Sequence, residues 1–224
     1  MMSEFFEAVF FDMDGLTVNS EPQWLISEKE VVEPFGYTWT QDDQVACLGG
    51  PLSKLGDYMS DKTGNQESSS FFVAKLIEIQ ANRMRTNTVA MPGAIELVKS
   101  LRSHGVKTAL VSASPRVIVD AVLDNIGHNL FPFSLSGDDV LNTKPDPEGY
   151  LKAARMCESN IENCLVFEDS LPGMQAATTS GAWLIAVPHL VHVEESPRVR
   201  SIQSLKQLNV SKLFELRKDF TVSI

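Results

Sequence analysis

Four short groups of polar residues follow apolar, strand-like runs in this sequence of 224 residues. They are Asp12-Met13-Asp14-Gly15, Ser112-Ala113-Ser114, Lys144-Pro145-Asp146-Pro147 and Glu168-Asp169-Ser170. Each group alone fits a common local structure, such as an Asx turn in the first group or a helix N-cap at Ser114. Ligands of an open parallel sheet bind beyond the carboxyl ends of its strands, so four such groups in these positions indicate a shared site.

Carboxylates dominate these groups, and together they would suit a divalent cation. The acids of the first and fourth groups are Asp12, Asp14, Glu168 and Asp169. Like charges gathered at one sheet edge cannot all stay ionised unless a cation compensates them. Mg²⁺ prefers oxygen ligands and binds through one or two carboxylates plus a substrate phosphate. Lys144 and the Ser112 hydroxyl are groups that hold phosphate oxygens, so the set predicts phosphoryl chemistry with Mg²⁺ as cofactor.

The elements that must position these groups have the pattern of an α/β protein. From residue 92 onward, short β-type runs alternate with helix-type segments, which is typical of a parallel sheet with crossover helices. Predicted strands cover residues 8–11, 106–111, 131–135, 164–167 and 183–187. The predicted fold class is therefore α/β, with a Rossmann-like parallel sheet core and an inserted helical cap domain.

The insertion lies directly after the first predicted strand. Residues 17–87 are mostly helical by pattern, with breaks at 34–36, 49–51 and 64–70. We predict a core formed by residues 1–16 and 88–224, and a helical cap formed by residues 17–87. The first strand must then pair with strands more than 90 residues later, and two linkers crossing together would form a hinge.

Composition excludes several classes of protein. Hydrophobic residues make up 43% and charged residues 21%, as in folded soluble chains. The net charge of −10 would repel nucleic acid and anionic membranes, and no apolar run approaches the roughly 20 residues of a membrane span. The three cysteines are scattered, so we expect no disulfide framework. The acidic residues near the start do not fit a signal peptide, so we expect no export. We expect a cytoplasmic monomer with no nucleic-acid or membrane partner.

As a set, the four groups resemble the motifs of the haloacid dehalogenase superfamily, in its sugar-phosphatase and phosphoglucomutase branch. The matching segments are Phe10-Phe11-Asp12-Met13-Asp14-Gly15-Leu16, Leu110-Val111-Ser112, Lys144-Pro145-Asp146-Pro147 and Phe167-Glu168-Asp169-Ser170. The resemblance covers nearly the whole chain, and the order and spacing of the segments agree with the family. It implies an Mg²⁺-dependent phosphatase acting on a small phosphate ester, with a sugar or polyol phosphate as the expected substrate.

The resemblance also implies a role for each residue. Asp12 would attack phosphorus and form an aspartyl-phosphate, while its second oxygen holds Mg²⁺. Asp14 would bind Mg²⁺ through its backbone carbonyl, protonate the leaving group and then take a proton from water. The remaining implied assignments are Mg²⁺ ligation by Asp169, with Glu168 in or near the coordination sphere, and phosphoryl binding by Ser112 and Lys144.

The cap would select the substrate. Residues 19–24 resemble the start of sugar-phosphatase caps, and the candidate substrate contacts are Glu21, Trp24, Gly49 and Gly50. The two glycines also fit a plain helix-helix turn. A β-phosphoglucomutase-like phosphosugar isomerase would be expected to have a cap histidine near residue 23 or 24, and a cap arginine near 50–53. The sequence has neither, which favours hydrolysis. A non-enzymatic phospho-receiver is the other alternative, and the helical insertion argues against it.

Overall fold

The structure is a computed structural model and describes residues 5–47, 51–188 and 193–222. At its centre lies a six-stranded parallel sheet. The strands are β1 (Ala8–Phe11), β2 (Lys107–Val111), β3 (Phe133–Leu135), β4 (Cys164–Glu168), β5 (Trp183–Ala186) and β6 (Val199–Ser201). Their order across the sheet is β3-β2-β1-β4-β5-β6. The predicted α/β fold class is confirmed.

Helices connect the strands, and the described part of the insertion is mostly helical. They are α1 (Glu21–Val32), α2 (Gln41–Cys47), α3 (Leu52–Lys62), α4 (Ser69–Asn87), α5 (Ala94–Ser103), α6 (Arg116–Ile126), α7 (Glu148–Met156), α8 (Leu171–Ser180) and α9 (Val210–Val222). Short 3-10 turns cover Glu33–Phe35, His128–Leu130, Gly137–Asp139, Ile161–Asn163 and Leu205–Gln207. No helix in the described ranges is long and apolar enough to cross a membrane.

Strand boundaries differ slightly from those that the sequence predicts. The predicted strand at 131–135 shortens to β3, because the 3-10 turn just before it leaves Phe131 in the connection. The edge strand β6 is not predicted at all. It has only three residues, too few for an alternating pattern to show.

β1 occupies the centre of the sheet and is fully buried. Phe10 lies opposite Ala109 of β2 and Val166 of β4, which confirms the long-range pairing across the insertion. Val9 and Phe11 face one apolar cluster, whereas Ala8 and Phe10 face the other. A strand covered on both faces is held rigidly, so the residue that follows it has a fixed position.

The four helices between β1 and α5 have an apolar cluster of their own, which includes Phe72 and Leu76 of α4. Further along α4, Ala81 and Met84 belong instead to the cluster on the sheet, and α4 packs on α6. One helix is thus shared by both clusters. The domain boundary at residues 87 and 88 stays a prediction.

The two connections between the insertion and the sheet run side by side. The Asn19 N–H donates to the Val89 carbonyl at 2.8 Å, and the Met91 N–H donates to the Thr17 carbonyl at 2.9 Å. These bonds place the start of α1 close to the end of β1.

Candidate active site

The ends of β1 and β4 bring the predicted acids together. The Asp12 N–H donates to the Phe167 carbonyl at 3.1 Å, so the residue after β1 is tied to the neighbouring strand. Asp12, Glu168 and Asp169 each offer a carboxylate oxygen within 4.8 Å of the others. Asp12 and Glu168 are buried, and Asp169 is partly exposed. Three acids thus meet where the strand pattern predicts a shared site.

The charges of this cluster are poorly compensated by the protein alone. Burial, with the nearby Glu168 carboxylate next in importance, raises the pKa of Asp12 to about 8. Burial, followed by repulsion from Asp12, raises the pKa of Asp169 to about 9. The Asp169 Oδ1 atom is buried without a hydrogen-bond partner. A hard divalent cation would satisfy that oxygen and relieve the repulsion, so the cluster fits Mg²⁺.

Gly15 permits the close approach of Asp169 to the loop after β1. Its φ of +78° lies in the left-handed region, and an added Cβ would lie 2.1 Å from the Asp169 Oδ2 atom. Only glycine fits both requirements. The Asp-x-Asp-Gly segment therefore makes a tight turn and also lies against the acidic cluster.

Lys144 provides the positive charge of the site. Its Nζ atom donates to Asp12 Oδ1, to Glu168 Oε1 at 2.6 Å and to the Val111 carbonyl at 2.9 Å. Burial acts to lower the pKa of Lys144, but the Asp12 and Glu168 carboxylates outweigh it and raise the pKa above its ordinary value. Lys144 therefore stays protonated next to the predicted nucleophile.

Both oxygens of Glu168 already accept hydrogen bonds from the protein. Oε1 accepts from Lys144 and from the Tyr150 hydroxyl at 2.7 Å. Oε2 accepts from the Asp169 N–H at 3.1 Å, the Ser170 N–H at 3.3 Å and the Ser170 hydroxyl at 3.1 Å. This fully buried acid thus positions both Lys144 and the loop that begins with Asp169.

Asp14 is held by donors from two directions. Ser112 and Ser114 of the loop after β2 donate to its Oδ2 atom at 3.3 and 2.8 Å. Ser20, just before α1, donates to Oδ1 at 2.6 Å, and the Trp24 indole N–H donates to the same oxygen at 3.3 Å. Within the described chain, the Asp14 backbone carbonyl accepts no hydrogen bond. The side chain is thus oriented, while the carbonyl oxygen is available to a metal.

The candidate cap residues have different outcomes. Trp24 reaches the site through the contact with Asp14. The Glu21 side chain is exposed, and its backbone carbonyl accepts a hydrogen bond from Gln44 Nε2 at 3.2 Å. Gly49 and Gly50 lie outside the described residues.

Some side-chain contacts of the site, among them three to its carboxylates, were not predicted from the sequence. These three are made by Ser20, Ser114 and Tyr150. The helix N-cap that Ser114 would also fit is not formed, because Pro115 occupies that position and the Ser114 hydroxyl donates to Asp14. Tyr150 lies in the buried stripe of α7, where its hydroxyl gives no sequence signal.

We expect the increase in Tm on addition of Mg²⁺ to become larger as pH rises from 6 to 9. The raised pKa values of Asp12 and Asp169 mean that folding favours their protonated forms, so ionisation across this range destabilises the metal-free fold. Mg²⁺ binds the ionised carboxylates. At 100 times Kd the gain is about 2.7 kcal/mol, or roughly 5–10 °C in Tm. Thermal melts with and without MgCl₂ at several pH values measure it.

The matched control for this effect is Asp169→Asn, which removes one carboxylate and keeps its shape. The variant should lose most of the Mg²⁺-induced rise in Tm. An equal rise in the variant, or a rise that does not change with pH, would contradict the assignment of this cluster to Mg²⁺.

The chain matches known proteins over most of its length. Protein SUPPRESSOR OF QUENCHING 1, chloroplastic, from Arabidopsis thaliana is 34% identical over 185 residues, which are 80% of this chain and 18% of that protein. This chain therefore spans less than a fifth of that relative. Phosphorylated carbohydrates phosphatase of Thermotoga maritima is 29% identical over 176 residues, with 78% of this chain and 82% of the relative covered. Hexitol phosphatase B of Escherichia coli K12 is 27% identical over 212 residues, 93% of each chain.

The fold and a family model agree with these matches. The crystal structure of β-phosphoglucomutase from Clostridium difficile has a TM-score of 0.81 at 21% identity, with 97% of this chain and 100% of that chain covered. It shares the fold. The model of the haloacid dehalogenase-like hydrolases matches residues 9–187, a range that includes all four groups of polar residues. The protein thus belongs to the haloacid dehalogenase-like hydrolase family.

Proposed function

We propose that this protein is an Mg²⁺-dependent phosphatase that hydrolyses a small sugar or polyol phosphate through an aspartyl-phosphate on Asp12. The arrangement around Asp12 supports this most directly. The carboxylate follows the central strand, is 6% exposed and accepts a hydrogen bond from the protonated Lys144. Asp14, two residues later, is oriented by hydrogen bonds from both sides. A nucleophile, a cation and a second carboxyl group thus lie next to one another.

In the first step an oxygen of Asp12 attacks phosphorus in line with the leaving oxygen, and the P–O bond to the alcohol breaks. Lys144 lies beside this carboxylate and would stabilise the charge on the transferring phosphoryl oxygens. Mg²⁺, held by Asp12, Asp169 and the Asp14 carbonyl, would supply further charge compensation. Glu168 keeps Lys144 in place through the bond at 2.6 Å.

Asp14 performs the two proton transfers. Its carboxyl protonates the leaving alkoxide, and the resulting carboxylate then takes a proton from the water that attacks the aspartyl-phosphate. As water attacks phosphorus, the bond between phosphorus and the Asp12 oxygen breaks. This step restores the Asp12 carboxylate and releases phosphate. The donors on Asp14 fix where this carboxyl points.

Substrate class and place of action rest on the relatives and on charge. Two relatives that match most of this chain are called a phosphorylated carbohydrates phosphatase and a hexitol phosphatase. The net charge of −10 disfavours polyanionic partners. We propose that the protein acts on small molecules as a cytoplasmic monomer.

Phosphate release from a panel of phosphorylated metabolites at saturating MgCl₂ tests the activity. We expect hexose and hexitol phosphates among the best substrates, with no activity after chelation of Mg²⁺. Product analysis with hexose 1-phosphates and a trace of hexose bisphosphate covers the isomerase alternative. Conversion to hexose 6-phosphate without phosphate release would contradict the phosphatase proposal, as would a stable phosphoprotein without turnover.

Trp24→Phe should reduce kcat about three- to tenfold and change Tm by no more than about 2–3 °C. Both effects are roughly the size expected for the loss of one long hydrogen bond to a carboxylate. The variant removes the indole N–H that bonds to Asp14 and keeps an aromatic ring for packing. Steady-state kcat and thermal melts measure the two effects.

Trp183→Phe is the matched control for this substitution. It removes an indole N–H that donates to the Glu162 carbonyl at 2.8 Å, away from the site. We expect no change in kcat. If both variants slow turnover equally, the Trp24 indole does not orient Asp14.

A further inference from the structure

Glu28 is a buried acid that the proposed chemistry does not use. Its residue is 4% exposed, and its Oε2 atom accepts a hydrogen bond from the Trp39 indole N–H at 2.9 Å. Among the described residues its Oε1 atom has no hydrogen-bond partner. In the part of the chain that the structure describes, the fully buried side-chain atoms without a hydrogen-bond partner include atoms of Gln80, Thr108 and Asp169, but neither oxygen of Glu28. Oε1 thus keeps contact with solvent and has an open acceptor position.

The position of Glu28 on α1 relates this oxygen to the active site. Glu21, Trp24 and Glu28 share one face of the helix, because their spacing is three and four residues. Trp24 on that face contacts Asp14 Oδ1 at 3.3 Å. One turn of helix advances about 5.4 Å, so Glu28 lies about one turn beyond a residue that touches the proposed acid and base.

The neighbouring residue shows that the other side of α1 is occupied. The Ser27 hydroxyl donates to Gln80 Oε1 of α4 at 2.7 Å and accepts from Arg83 Nε at 3.0 Å. Trp39, which holds Glu28 Oε2, belongs to the apolar cluster of the insertion. Glu28 therefore lies at the margin of that cluster, on the face of α1 that includes Trp24.

We propose that Glu28 determines specificity by accepting hydrogen bonds from hydroxyl groups at the unphosphorylated end of the substrate. This inference rests on the proposed phosphatase function. An ionised carboxylate only accepts hydrogen bonds, and hydroxyl donors of a sugar or polyol match it. A hexose or hexitol chain spans the distance of about one helical turn that separates Glu28 from the Trp24–Asp14 contact.

The same carboxylate would disfavour a second anion at that end. Burial raises the pKa of Glu28 to about 7; the hydrogen bond from Trp39 opposes this rise, and the charge of Glu21 adds to it. Above that pH the charge on Glu28 adds to that of Glu21, and the two carboxylates together would repel a second anionic group. The inferred substrates are monophosphates with a neutral, hydroxylated end, and phosphorylated carboxylic acids and bisphosphates are disfavoured.

Glu28→Gln tests the inference, because it keeps the shape and an acceptor for Trp39 while removing the charge. Kinetics at pH 8 and saturating Mg²⁺ would use the best hexose or hexitol monophosphate, p-nitrophenyl phosphate and a hexose 1,6-bisphosphate. We expect KM for the monophosphate to rise roughly 10- to 100-fold with kcat within threefold. The kcat/KM for p-nitrophenyl phosphate should stay within twofold, and the relative rate on the bisphosphate should rise.

Ser27→Ala is the matched control, since it removes a buried polar contact from the same helix on the α4 side. It should leave the substrate preference unchanged. If Glu28→Gln does not fold, Glu28→Asp replaces it, with KM for the monophosphate raised and the bisphosphate still disfavoured. An equal effect of Glu28→Gln on all three substrates, or none on any, would overturn the role of Glu28. Failure of the unaltered protein to hydrolyse any phosphate ester would instead overturn the proposed function.

Discussion

Asp12→Asn should abolish turnover of every phosphate ester, with kcat reduced by a factor on the order of 10⁴ or more. An amide oxygen is a far weaker nucleophile than a carboxylate oxygen, so the bond to phosphorus that begins the reaction does not form. Phosphate release at high enzyme concentration, with Mg²⁺ saturating, measures the residual rate. Wild-type rates in this variant would refute the proposed mechanism.

Stability separates loss of chemistry from loss of fold in this variant. Burial raises the pKa of Asp12 to about 8, so the metal-free fold loses stability as pH rises from about 4 through 8 and the carboxylate ionises. Asparagine cannot ionise. We therefore expect the metal-free variant to melt no lower than the unaltered protein at pH 8, as thermal melts would show.

Asp14→Asn should reduce kcat by roughly 10²- to 10⁴-fold on alkyl phosphates, because proton transfer to the leaving group and from water is lost. The amide has nearly the same shape, and its oxygen can still accept the hydrogen bonds that Ser20 and Trp24 donate to Oδ1. The loss would therefore report on proton transfer more than on packing.

The leaving group distinguishes the two steps that Asp14 serves. p-Nitrophenolate leaves without a proton, so Asp14→Asn should still form the aspartyl-phosphate from p-nitrophenyl phosphate. Attack of water would then be slow. Rapid-mixing absorbance should show a burst of one p-nitrophenolate per active site, followed by slow turnover. Equal losses on alkyl and nitrophenyl esters, with no burst, would contradict the role of Asp14 as acid and base.

Sequence pattern was sufficient to predict five of the six strands of the sheet and the acids at its edge. The strand ends are marked by apolar runs that stop at charged residues, as at Phe11 before Asp12 and at Phe167 before Glu168. Parallel strands then bring these ends together whatever the details of packing. The residues that meet at this edge can be predicted from the strand pattern, because they follow from the backbone topology alone.

Side-chain direction decided the contacts that sequence pattern did not predict. The Tyr150 hydroxyl reaches Glu168 only because α7 packs on the sheet, with the Tyr150 and Phe10 rings 6.5 Å apart. Glu28 has no sequence feature that marks it as buried, but in the structure it is 4% exposed and accepts a hydrogen bond from Trp39. Such contacts depend on how separate elements dock, which periodicity does not encode.

The sharing of α4 between two apolar clusters affects how the protein unfolds. Phe72 and Leu76 pack among the helices of the insertion, and Ala81 and Met84 pack on the sheet. Loss of packing in the insertion would free α4 and expose apolar surface on α6 as well. The insertion and the sheet are therefore expected to unfold together. A destabilised insertion would then lower the fraction of molecules in which the acids after β1 and β4 are correctly assembled.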